Sequence, residues 1–139
     1  MRLATWEQDR AAILEGCYKL RDYAKSYGFI GTVDFDHGVT SIYNVVTMGN
    51  AYIIDGYLVL VAEVEPWYTK DILLQEWLVI KVYPTVNGVK SIPPALLEIA
   101  KERGCVMLLT GDSSPVNIMA NAYKDAGFHN LTQSFYKEP

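Results

Sequence analysis

The sequence predicts an α+β domain whose sheet is largely antiparallel with one parallel crossover. Three observations carry this. In "NAYIIDGYLVLVAEVEPWY" two apolar runs meet at Asp55-Gly56, a pair that tolerates positive φ and favours a tight hairpin. The run "LLQEWLVIKVYP" is followed by a helical stretch and then by "CVMLLTG", the pattern of a strand, a crossover helix and a parallel strand. Near the N-terminus Ile13, Leu14, Cys17, Leu20, Arg21 and Ala24 fall at helical spacing.

Taken in order, Arg2 to Thr5 forms a short first strand. A helix follows, with Thr5 as cap, Gln8 three residues on as in a capping box, and Gly28 as its end. A weaker helix lies in "DFDHGVTSIYNVVTMGN", where Val39, Ile42, Tyr43 and Val46 share a face despite a β-branched content that lowers helix propensity. The hairpin and the strand ending at Pro84 come next. "SIPPALLEIAKERG" then opens with Ser91 as N-cap and Pro93 and Pro94 in the first turn, and closes at Gly104. "CVMLLTG" reads as a continuous apolar strand covered on both faces. "SPVNIMANAYKDAGF" gives a last helix stopped at Gly127, and "HNLTQSFYKE" a closing strand. The whole order is β-α-α-β-β-β-α-β-α-β.

The 139 residues, 50% of them hydrophobic, suit a single domain spanning residues 1–139. A formal net charge of -4 argues against general affinity for nucleic acid or anionic membrane. Cys17 and Cys105 each sit in an apolar element, the expectation for buried free thiols in a reducing compartment. "MRLATWEQDRAAILEG" has charges where a signal peptide has its apolar run, and no stretch approaches the roughly 20 apolar residues of a membrane span, so a cytoplasmic location is expected. His37 and His129 stand alone, and no metal site is expected.

The order of elements, the strand "QEWLVIKVYP" ending in Pro, the helix "LLEIAKERGC", and "YKDAGF" before "QSFYKE" together resemble the GNAT superfamily of acetyl-CoA-dependent N-acetyltransferases. The pairing of Gln75-Glu76 with an aromatic-rich strand is similar to small acetyltransferase-like proteins of bacteriophages and prophages. The resemblance implies a layered α/β/α fold with a mixed sheet of about six to seven strands. It implies acetyl-CoA as co-substrate and a small-molecule or protein amine as acceptor, in a bacterial host's cytoplasm if phage-encoded. A homodimer is compatible with it.

In that superfamily the loop after the central strand carries Arg or Gln, then Gly, then Gly or Ala, so that amide donors and a helix N-terminus hold the coenzyme A pyrophosphate. Here Gly88, Ser91 and Pro93 occupy those positions, and every signature residue is altered. Pro93 and Pro94 also remove amide donors, each worth about 1.5–3 kcal/mol against a charged oxygen. The amides of Val89, Lys90, Ser91 and Ile92, the Ser91 hydroxyl and the Lys90 ammonium remain as expected contacts.

By resemblance Tyr123 occupies the general-acid position; the alternative is that its ring only packs on the sheet. Glu76 stands where relatives carry a general base, or else it faces solvent or pairs with Lys81. Glu63 and Glu65 are weaker candidates for the same task. Backbone groups of Ile80, Val82 and Tyr83 would hold the pantetheine arm, and Asn117 lies near the superfamily's usual Asn. Trp67 and Tyr68 line an acceptor cleft, contact another subunit or close the core, and Glu63, Glu65 and Asp71 favour a cationic acceptor. Two functions follow: an N-acetyltransferase in which the amine attacks the thioester directly, or a catalytically degenerate GNAT-fold protein that binds a protein partner near Trp67.

Overall fold

The computed structural model describes residues 1–29, 31–112, 117–132 and 135–139. Its elements are β1 (Arg2–Leu3), α1 (Trp6–Asp22), α2 (Phe35–Thr47), β2 (Ala51–Ile54), β3 (Tyr57–Val64), β4 (Leu73–Lys81), a 3₁₀ turn (Gly88–Ser91), α3 (Ile92–Glu102), β5 (Met107–Leu109) and α4 (Ile118–Asp125). Among the described residues the sheet has five strands in the order β1-β2-β3-β4-β5. The first four pair antiparallel, and β4 pairs with β5 in parallel.

Asp55 and Gly56 both take positive φ, at 42° and 86°, so the two-residue turn sets the β2–β3 register as the sequence implied. Side chains then alternate across β3. Leu58 and Leu60 face a core with Ile13, Cys17, Ile42 and Val46 of α1 and α2, whereas Val59 and Val61 face Ile92, Leu96, Ile99 and Tyr123 of α3 and α4. The sheet is therefore covered on both sides, the expected α/β/α layering.

The caps follow local chemistry. The Thr5 hydroxyl accepts from the Gln8 amide at 3.3 Å, and the Asp34 carboxylate accepts from the His37 amide at 3.0 Å. At the end of α3 the Cys105 amide reaches Ala100 O at 2.8 Å and the Gly104 amide reaches Lys101 O at 3.1 Å, with Gly104 at φ 70°. This is a Schellman closure in which Arg103 is the C-cap and Gly104 the residue after it. Arg103 then ties α3 to β2, donating to Asn50 Oδ1 at 2.7 Å, Gly49 O at 2.9 Å and the Tyr52 hydroxyl at 2.8 Å.

Three expectations are corrected. Helix α1 stops at Asp22 rather than near Gly28, because Tyr23, Lys25, Ser26 and Tyr27 are exposed and gain no burial by staying helical. Strand β5 covers only Met107–Leu109, and Val106 and Met107 are exposed, so it is not covered on both faces. Among the described residues after Gly127 the closing strand is absent, and among the described residues the sheet has five strands, not the six to seven expected. Leu131, Phe135 and Tyr136 stay exposed there, leaving no apolar face whose burial would offset the entropy of ordering a strand. The start of the last helix, residues 114–116, and positions 133–134 of the closing strand lie outside the described residues.

Candidate active site

Strands β4 and β5 pair only from Leu73 to Gln75 and from Met107 to Leu109, then separate. The β3 register explains where. Leu60 pairs with Leu78 but Val61 pairs with Glu76, so Trp77 is an extra residue, a bulge in β4. A bulge bends and twists its strand, which turns β4 away from β5 at this point. The gap is a cleft of about 740 Å³ lined by Gln75 to Lys81 on one wall and Leu109 to Asp112 on the other, with Ile118 and Met119 of α4. A smaller apolar recess of about 180 Å³ between α1, α2 and β4 shares Leu20, Phe29, Trp77, Leu78 and Ile80 with it.

Glu76 sits at the parting point and is only 6% exposed. Its carboxylate accepts the Tyr123 hydroxyl proton at 2.8 Å, an internal bond spanning 47 positions of sequence. Burial pushes the Glu76 carboxyl up to about 7; the bonds from Tyr123 and the Gly111 backbone only partly oppose this. Tyr123 is raised well above its ordinary value, chiefly by burial and then by the Glu76 charge. Tyr123 is held in place by the end of α4: the Phe128 amide reaches Tyr123 O at 3.0 Å, Gly127 takes φ 88°, and the Phe128 ring lies 5.1 Å from the Tyr123 ring. "YKDAGF" is thus a Schellman cap with its hydrophobic contact. Lys81 is exposed, and Glu76 bonds to Tyr123 instead.

Of the expected arm-binding positions, Ile80 lines the cleft. The Val82 and Tyr83 amides do not face it: both donate to Gly56 O at 2.9 Å, because the hairpin turn folds against the end of β4. Tyr83 sends its hydroxyl to Asp9 at 2.6 Å. Asn117 stands at the N-cap of α4 with a left-handed backbone and no side-chain cap bond; the Asp112 carboxylate accepts the Ala120 amide instead, at 2.9 Å.

The loop before α3 departs further from expectation. The Asp55 carboxylate accepts from the Thr85 hydroxyl at 2.7 Å, the Val86 amide at 2.9 Å and the Asn87 amide at 2.7 Å. These bonds hold its carboxyl down at about 2, the Val86 amide contributing most. The Gly88 amide donates to the Thr85 hydroxyl oxygen, and the Ser91 hydroxyl donates to Gly88 O rather than capping α3 or facing outward. The Ile92 amide bonds to Val89 O. The expected outward donors Ser91 Oγ and Ile92 N are therefore engaged within the loop, while Val89 and Lys90 lie in the 3₁₀ turn.

Sequence reading missed two acids. Asp55 reads in the sequence only as part of a tight turn, and Asp9 is not singled out there, yet Asp9 is fully buried in the first turn of α1. The other acids considered lie elsewhere: Glu63, Glu65 and Asp71 are exposed, and Glu63 approaches Arg103 at 3.3 Å. Trp67 is 96% exposed in an edge-on contact with Tyr68, which excludes core closure, and neither ring lines the cleft. No group of His, Cys, Asp or Glu that could hold a metal exists among the described residues.

Neither a protein-family model nor a curated protein sequence matches this chain. Solved structures do. A probable acetyltransferase superposes with a TM-score of 0.63 at 13% identity, covering 98% of this chain and 94% of its own. A glucosamine-6-phosphate N-acetyltransferase from Arabidopsis thaliana gives 0.56 at 15% identity, covering 99% and 95%. An aminoglycoside acetyltransferase from an uncultured soil metagenomic sample, in complex with sisomicin, gives 0.57 at 12% identity, covering 98% and 93%. The fold is that of acetyltransferases. These structures match over nearly the whole chain, and no large segment lies outside the shared fold.

Proposed function

We propose that this protein is an N-acetyltransferase that moves an acetyl group from a thioester, acetyl-CoA in the superfamily it resembles, directly to a primary amine. The observation that carries the reading is a buried Glu76, bonded to Tyr123, on the wall where β4 leaves β5. The thioester arm lies along the open side of β4, where β5 no longer supplies hydrogen bonds. The amine enters from the apolar recess beside Phe29 and Trp77, which suits an amine carried on an apolar body.

A carboxyl at about 7 is half ionised near neutral pH and accepts the one proton that the neutral amine loses as it attacks. The C–N bond then forms and the C–S bond breaks. Tyr123 passes its proton to the departing thiolate and recovers one from the newly protonated Glu76, so the net transfer is from amine to sulfur. Protonation of Glu76 removes the charge and the accepted bond that hold the Tyr123 proton, so the donor is released when it is needed. The test is release of free thiol from acetyl-CoA with a panel of primary amines, comparing the wild type with Glu76→Gln. Equal thiol release in the two proteins would sink Glu76 as the proton acceptor, and no release with any amine would sink the acetyl-transfer reading and favour the partner-binding alternative.

A further inference from the structure

The loop that should face a diphosphate already binds an anion, and that anion is the protein's own. Asp55 reaches it from the β2–β3 turn, and its carboxylate takes the Val86 and Asn87 amides and the Thr85 hydroxyl at 2.7–2.9 Å. Backbone donors converging on a carboxylate in this way form the same kind of nest that binds phosphate. The Gly88 amide is used by Thr85 and the Ile92 amide by Val89 O, while Pro93 and Pro94 have none. Val89, Lys90 and Ser91 remain, inside a 3₁₀ turn built from i→i+3 bonds of such donors. A diphosphate arriving here meets few unpaired amides and a fixed negative charge. Against this stands the exposed Lys90, a single solvent-screened cation.

We infer that Asp55 is a donor-specificity residue: the loop does not grip the diphosphate of coenzyme A, and the thioester donor is recognised through its pantetheine end in the β4–β5 cleft. This rests on the acetyl-transfer reading of that cleft. Donors lacking the adenosine diphosphate, such as acetyl-pantetheine, then serve about as well as acetyl-CoA.

Calorimetric titration of the full chain with coenzyme A and with pantetheine tests the inference without catalysis. The expected result is dissociation constants within about threefold of each other, whereas a loop making several charged hydrogen bonds to diphosphate separates them by about a hundredfold or more. Asp55→Asn keeps the turn's tolerance of positive φ and removes the charge; it is expected to tighten coenzyme A relative to pantetheine by about tenfold. Coenzyme A binding the wild type more than about tenfold tighter than pantetheine overturns the inference, as does binding of neither. Thiol release from both acetylated donors separates the two ideas. Transfer with a strong preference for acetyl-CoA sinks the donor inference alone, while equal binding without transfer sinks the enzymatic reading alone.

Discussion

Glu76 owes its chemistry to where its carboxylate is placed, since burial favours the neutral acid and the Tyr123 bond favours the ion. If it accepts the amine's proton, kcat/KM rises with pH through about 7 on its acid limb. Glu76→Gln is expected to lower that rate by about 10²–10⁴-fold and to abolish the limb. Tyr123→Phe removes a bond that stabilises the ionised carboxylate, so the limb moves upward in pH while kcat falls; a Tyr123 that only packs would leave kcat unchanged. A pH–rate series on the three proteins reads both effects. Both residues could be singled out as candidates in the sequence because their types sit in patterned segments, a strand ending in Pro and "YKDAGF". Their contact was not, because it spans the separation of β4 and α4. Asp55 was illegible for a related reason: a turn acid is common, and only the folded hairpin brings it to the amides of Val86 and Asn87.

At the scale of elements the hairpin and helices could be read, because turn chemistry and apolar periodicity are local, whereas the ends of α1 and β5 depend on what their neighbours bury. The bulge at Trp77 has no local signature, since it is defined only by the partner strand. Packing of α1 on β4 supplies a sharp test at Gly16. A Cβ there would meet Ile80 Cγ2 at 2.9 Å, Lys81 O at 3.2 Å and Val82 Cγ1 at 3.3 Å. Helix propensity alone favours Gly16→Ala by about 1 kcal/mol. Overpacking against a backbone oxygen and a buried β-branched side chain costs about 1–3 kcal/mol. The expected net result is a destabilised variant with a lower urea midpoint and an unchanged m-value. A raised midpoint would mean that α1 stands further from β4 than the described packing requires.

Across the whole molecule, acids with opposite shifts set the pH dependence of stability. Asp9 joins three parts of the chain: it accepts from Arg2 at 2.6 and 2.9 Å, from the Thr5 amide at 2.9 Å and from the Tyr83 hydroxyl at 2.6 Å. The Arg2 bonds, foremost, hold its carboxyl down at about 2 from an ordinary 3.8. A depressed value stabilises the fold above 3.8, and that stability is lost as pH falls toward 2. Glu76 has the opposite sign. Raised from 4.5 to about 7, it leaves the native state more protonated than the unfolded chain, so its contribution is present below 4.5 and lost as pH rises through 7. Asp55 shares the sign of Asp9 but is solvent-screened and adds less. Stability should therefore peak near pH 4–5, between 3.8 and 4.5 at its centre, and fall by about 3 kcal/mol toward pH 8. For a domain of this size that is a drop in Tm on the order of 10 °C. Thermal melts of the wild type, Glu76→Gln and Asp9→Asn from pH 2 to pH 9 separate the two groups. Glu76→Gln flattens the limb above 4.5 and leaves the acid limb in place, whereas Asp9→Asn lowers Tm at neutral pH and flattens the limb below 3.8. A wild-type Tm that climbs steadily from pH 5 to pH 8 would mean that Glu76 is not held in the buried, Tyr123-bonded position on which its proposed chemistry depends.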